Sequence, residues 1–132
     1  MLSSRARYAT RALVDLAMHF GEKPVSIQDI ADRQNIPLKY LEQILLALKM
    51  TGFVQSRKGP GGGYSLLRPP SEVTLGSVIR TLDGPLAPIS CVSVSGFSEC
   101  GCPEPLTCGL RQVFKDARDA LTNVLDQATL ED

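Results

Sequence analysis

No stretch of this chain approaches the roughly 18 consecutive apolar residues that a membrane-spanning helix needs. Its N-terminus, MLSSRARYATRALVDLAMHF, also lacks the continuous apolar centre of a signal peptide. Arg5, Arg7 and Arg11 are spread through it and Asp15 breaks the apolar run. The expectation is a cytoplasmic protein, whose thiols stay reduced, and this counts against structural disulfides. Histidine is scarce, with His19 the single one. Net charge is absent too, with 14 Lys and Arg against 14 Asp and Glu. Cysteine is missing from residues 1–90 and 109–132, so that Cys91, Cys100, Cys102 and Cys108 are gathered in one stretch.

The zero charge hides a division. Residues 1–70 carry ten Lys and Arg against five Asp and Glu, and residues 71–132 carry four against nine. A basic half beside an acidic half points to contact between the basic half and a polyanion. The 132 residues, 43% hydrophobic and 21% charged, suit one globular domain with a real core.

Periodicity predicts a helix over 4–20, with Ala9, Leu13, Leu16, Ala17 and Phe20 on its apolar face and Gly21 as its stop. Ser26 followed by Asp29 is a capping-box pattern, and it opens a short helix with Ile27, Ile30 and Ala31 on one side. The segment PLKYLEQILLALKMTG starts a third helix with Pro37 at its first position and Leu41, Ile44, Leu45 and Leu48 on its apolar side. Two short helices joined by a tight polar turn form a helix-turn-helix. Two strand-like runs follow, Phe53–Arg57 and Tyr64–Leu67, around KGPGGG. A glycine-rich hairpin after a helix-turn-helix is a wing, and its basic tip, Arg57 and Lys58, can reach a DNA backbone or minor groove.

Pro69 and Pro70 close this first module, residues 1–70. The remainder, 71–132, holds a short helix over Leu75–Leu82, a loop over 84–105 and a long last helix, and is expected to form one compact unit with the first module. On that last helix Leu110, Phe114, Ala117, Leu121, Val124 and Ala128 recur at heptad spacing, which fits a helix that pairs with another helix to make a dimer, or one that lies on its own core. The fold class predicted is mainly α with a small β-hairpin wing: a winged helix-turn-helix plus a long C-terminal dimerisation helix.

The segments RYATRALVDLA, QDIADRQNIPLKYLEQILLALKMTGFVQSRKGPGGGYSL and TLGSVI resemble the winged-helix bacterial transcriptional regulators of the IscR, NsrR and RirA type, the Rrf-type regulators. The similarity spans nearly the whole chain. It implies a homodimeric DNA-binding regulator, read here as a repressor, acting at a pseudo-palindromic operator. Transferred to matching positions, it places Lys39, Tyr40, Glu42 and Gln43 on the recognition helix, Lys58 at the wing tip and Gly59, Pro60, Gly61, Gly62, Gly63 and Tyr64 in the wing. Ser26, Gln28 and Arg57 complete the expected DNA-facing set. The side-chain chemistry agrees: Gln43 can read an adenine edge, Glu42 can accept from a cytosine amino group, and Lys39 can meet a phosphate or a guanine.

Clustered cysteines in a reducing compartment more often bind metal or do redox chemistry than staple a fold. The resemblance implies an iron–sulfur cluster, [2Fe-2S] or [4Fe-4S], held by Cys91, Cys102 and Cys108, by which the protein senses iron, redox or nitric oxide status. Arg111 and Arg7 stand where other family members have a histidine or an aspartate as fourth ligand, and neither guanidinium has a lone pair to give. Cys100 would complete a four-thiolate set. Three further readings are open. The first is a cluster-free thiol switch, in which a thiolate oxidises and pairs with a neighbour. The second is zinc, disfavoured because no two-residue knuckle is present. The last is a cysteine-dependent redox enzyme, disfavoured because the one histidine is far off in sequence.

Overall fold

A computed structural model describes residues 2–86 and 109–132. In chain order it comprises α1 (Ser4–Met18), α2 (Ile27–Gln34), α3 (Leu38–Met50), the strands β1 (Val54–Arg57) and β2 (Gly63–Leu66), a 3-10 turn (Pro70–Glu72), α4 (Leu75–Asp83) and α5 (Gly109–Gln127). Three helices start on a side-chain cap that accepts an otherwise orphaned backbone N–H. Ser3 Oγ accepts from Ala6 at 3.0 Å, Ser26 Oγ from Asp29 at 3.1 Å and Thr74 Oγ1 from Ser77 at 3.1 Å. Pro37 differs from expectation by one place. It stands just outside α3 with extended φ and ψ, and its carbonyl receives Leu41 N at 2.9 Å.

The apolar faces meet as patterned. Leu13 and Leu16 of α1, Ile30 of α2, and Leu41, Ile44, Leu45 and Leu48 of α3 are all buried in one core that also takes Phe53, Val54 and Leu66. Phe20 is the exception. Helix α1 ends at Met18, two residues earlier than the pattern suggested, and Phe20 lies beyond that end, 45% exposed. Ala6 and Ala12 occupy the apolar stripe with Ala9, and these small side chains let other elements approach α1 closely. Helix α1 is the common frame, packing against α2, α3, α4 and β2.

The wing is a two-stranded antiparallel hairpin with Val54 opposite Leu66 and Arg57 opposite Gly63. Its second strand starts one residue before the sequence pattern, at Gly63, because that glycine is a structural requirement. A Cβ there would lie 2.2 Å from the Val25 carbonyl oxygen, and one on Gly62 would lie 2.2 Å from that of Arg57. The absence of a side chain on Gly63 lets Tyr64 bridge to Val25, with Val25 N donating to Tyr64 O at 2.9 Å and Tyr64 N to Val25 O at 2.8 Å.

At the other end, α4 carries α5. Arg80 forks onto Asp126 at 2.6 and 2.9 Å, and Leu130 N donates to Val73 O at 3.1 Å. The glycine of the TLGSVI segment, Gly76, makes room, since a Cβ there would meet Asp126 Oδ1 at 2.1 Å. The hydrogen bonds from Arg80 hold the Asp126 carboxyl below its ordinary pKa. Leu121 and Leu125 of α5 turn toward α4. With Leu2, Ile79, Asp83, Pro85 and Leu86 they border a cavity of about 280 Å³.

Candidate nucleic-acid interface

On α3 the core residues face inward, leaving Lys39, Glu42 and Gln43 exposed on the opposite side. Tyr40 is half-buried. Its ring meets Tyr8 of α1 edge to face at a centroid distance of 5.5 Å and an angle of 81°. The Arg11 guanidinium lies 5.5 Å from the Tyr8 ring centroid on α1. Tyr40 therefore helps to fix α3 on α1, whereas Lys39, Glu42 and Gln43 point into solvent.

Ser26 holds the start of α2, and Gln28, two residues further, is exposed and donates to Asp32 Oδ1 at 2.9 Å. At the wing Arg57, Lys58, Gly59, Pro60 and Gly61 are exposed, whereas Gly62, Gly63 and Tyr64 are half-buried at its base. The arrangement offers an exposed polar helix edge and a narrow basic hairpin, the two elements with which such modules enter DNA grooves and touch phosphates.

The ligand candidates Cys91, Cys100, Cys102 and Cys108 lie outside the described residues. Among the described residues no group of three or more His, Cys, Asp or Glu side chains could hold a metal ion. Arg7 sits on the exposed surface of α1, and Arg111 in the first turn of α5. Along α5, Leu110 and Val124 are 61% and 63% exposed and Ala117 is exposed, whereas Phe114, Leu121 and Ala128 are half-buried. Val113, off the heptad, is 62% exposed. Ala128 is used within the chain, its carbonyl accepting Leu75 N at 2.9 Å. Among the described residues no helix is long and apolar enough to cross a membrane.

Sequence reasoning missed the polar centre behind the helix-turn-helix. Asp15 is 2% exposed and receives Arg33 Nε at 3.0 Å, Arg33 Nη2 at 2.8 Å and Gln34 Nε2 at 3.1 Å. Burial pushes its carboxyl up, but hydrogen bonds from Arg33 and Gln34, with the charges of Arg33 and His19, outweigh that and hold it below its ordinary value. The available signal was a carboxylate set among the alanines and leucines of α1, where an acid has no place unless paired.

A helix-turn-helix followed by a hairpin with a basic tip is a winged helix-turn-helix, an architecture of DNA-binding regulators. The chain belongs to the Rrf2 family: residues 2–132 match the family described as "Rrf2: Iron-dependent Transcriptional regulator". It is 39% identical over 131 residues to protein rrf2 of Nitratidesulfovibrio vulgaris, covering 99% of this chain and 85% of that one. It is 37% identical over 131 residues to the regulator IscR of Pectobacterium carotovorum subsp. carotovorum, covering 99% and 77%. The solved structure of CymR, the global cysteine regulator of B. subtilis, superposes with a TM-score of 0.84 at 34% identity, covering 100% of this chain and 94% of that one.

Proposed function

We propose that two copies of this chain form a cytoplasmic transcriptional repressor that reads a pseudo-palindromic operator and senses iron, redox or nitric oxide status through an iron–sulfur cluster in the cysteine loop. On this reading Gln43 and Glu42 read base edges, Lys39 contacts a phosphate or a guanine, and Arg57 and Lys58 grip the backbone from the wing. Ser26 and Gln28 border the same face at the start of α2. The exposed apolar face of α5, with Leu110 and Val124 each more than half exposed, supports pairing with a second copy. Pairing through α5 would fix the separation of the two α3 helices and so the half-site spacing.

The observation that carries the sensing half is the position of the thiols: all four cysteines lie within the 18 residues that end where α5 begins. Four thiolates are a sufficient donor set for either common cluster type. Cys91, Cys102 and Cys108 would hold it, with Cys100 as the fourth ligand, because Arg7 and Arg111 cannot ligate. Such a group, when bound, supplies a state that changes with iron supply or oxidant. The likeness to a global cysteine regulator favours a second reading, a cluster-free switch in which two of these thiols pair on oxidation.

Purification without air, an absorption spectrum, and iron and acid-labile sulfide analysis separate the two. The cluster reading expects coloured protein that loses its colour in Cys91→Ala, Cys102→Ala or Cys108→Ala, and a labile or spectrally altered species in Cys100→Ala. No iron or sulfide after attempted reconstitution, with a disulfide formed under mild oxidant, would end the cluster reading in favour of the switch.

A further inference from the structure

Among the described residues Asp15 is the one polar or charged side chain that is fully buried, and all of its side-chain partners except His19 come from α2. Arg33 and Gln34 are the last two residues of α2. Immediately beyond them Asn35 takes the left-handed conformation, at φ 53°, and three residues later α3 begins. The grip therefore falls on the pivot of the helix-turn-helix. Arg11, one turn earlier on α1, donates to the Gln34 carbonyl and holds the same pivot from a second direction. Apolar burial between α1, α2 and α3 holds these helices together, but its attraction is non-directional and side-chain packing leaves a spread of about 15–20° in helix orientation. A guanidinium forked onto a carboxylate sets an orientation, since both N–H bonds are satisfied in a single planar arrangement. Helix α1 also carries the wing strand β2, so an orientation fixed against α1 is fixed against the wing.

We propose that Asp15 is a positioning residue for DNA recognition: its two-pronged grip on Arg33 sets the attitude of the α2–turn–α3 unit against the wing, and so aligns Lys39, Glu42 and Gln43 with the bases. The inference rests on the reading of α3 as the base-reading helix. Asp15 and Arg33 touch no DNA themselves; they act through the turn that leads into α3.

The test measures specificity separately from stability. Full-length wild-type protein enriches a duplex from a random-sequence library, and its affinity for that duplex is compared with its affinity for a shuffled duplex of the same composition. Arg33→Lys keeps the charge but loses the fork, at a side chain 43% exposed, so the core is left intact. Asp15→Leu/Arg33→Met also leaves the net charge unchanged, and replacing a buried ion pair by apolar groups often preserves or raises stability. Both variants are expected to unfold within a few degrees of wild type and to bind the shuffled duplex as wild type does. Their preference for the enriched duplex should fall at least about tenfold, the worth of one misread base pair. A wild-type preference in Arg33→Lys overturns the proposal, as does a preference that falls only in proportion to the unfolded fraction. If wild type enriches no sequence, the base-reading role of α3 fails first, and that outcome is distinct from a wild type that discriminates beside variants that do so equally well.

Discussion

Gly63→Ala is the sharpest probe of how the wing is attached. The added methyl would start 2.2 Å from the Val25 carbonyl oxygen, 2.5 Å from its carbon and 2.9 Å from Ser26 N. These are backbone atoms at the entry to α2, so no side chain can swing aside. Restoring an ordinary contact of roughly 3.5 Å requires the strand to retreat by about 1 Å. That retreat breaks the paired bonds of 2.8 and 2.9 Å between Val25 and Tyr64. Two lost backbone bonds cost about 1–3 kcal/mol together, and holding alanine at φ +151° adds about 1–3 kcal/mol of strain. The sum is about 2–6 kcal/mol out of a total stability of roughly 5–15 kcal/mol. Urea unfolding followed by circular dichroism measures it, with Gly61→Ala as the control. Gly61 also has positive φ, +74°, but nothing lies within 4 Å of its Cβ position, so its cost is confined to about 1–2 kcal/mol for the left-handed backbone. If Gly63→Ala unfolds within about 0.5 kcal/mol of wild type, or costs less than Gly61→Ala, the close-approach argument is wrong.

Lys58→Ala should weaken binding to every duplex and flatten the salt dependence by about one counterion, whereas Gln43→Ala should relax preference at one base position; titrations across a salt series check both. Val124→Glu, at an exposed apolar position of α5, should turn a dimer into a monomer in sedimentation at micromolar concentration, and a wild type that is already monomeric there refutes the pairing. The acid limb of stability should include, beside that of Asp126, a contribution from Asp15. Its native pKa lies below the unfolded value of about 4, so its contribution is fully present above that pH and is lost as pH falls through the ordinary carboxylate range toward the depressed native value. Urea unfolding from pH 7 downward should show this decline in wild type and a flatter profile in Asp15→Asn.

The sequence carried the helices because their apolar residues repeat at three and four, and the cap of α2 is written in Ser26 with Asp29; the caps Ser3 and Thr74 went unread. It carried the wing because glycine clusters have few other uses after such a helix. It placed the end of α1 too late because Phe20 continues the apolar spacing by chance, and periodicity cannot see that the backbone has already turned at His19, where φ is −113°. It assigned Pro37 and Gly63 one residue off, as expected where the decision rests on local φ and ψ or on a contact with a distant carbonyl. The Asp15–Arg33 and Arg80–Asp126 pairs were illegible for a different reason. Each joins residues far apart in the chain, and a single sequence marks a charge without naming its partner.

These two pairs show how the architecture divides its labour. Asp15–Arg33 ties α1 to the turn of the helix-turn-helix, and Arg80–Asp126 ties α4 to the far end of α5. Ser3, at the cap of α1, donates its backbone N–H to Asp83 of α4 at 3.0 Å and joins the two frames. The second pair is more than a third exposed on both sides, so its worth lies in orientation more than in stability. Helix α5 is thus fastened near Asp126 and Leu130, while the turn that follows Cys108 carries exposed Leu110 and Val113. Exposed Val124 extends this uncovered apolar face to the fastened end, and under the proposed function a second copy would cover it along the helix. Under the proposed function, the first turn of α5 is also the part closest in the chain to the thiols. A change at the cysteines would then reach the pairing of two chains through the first turn of α5.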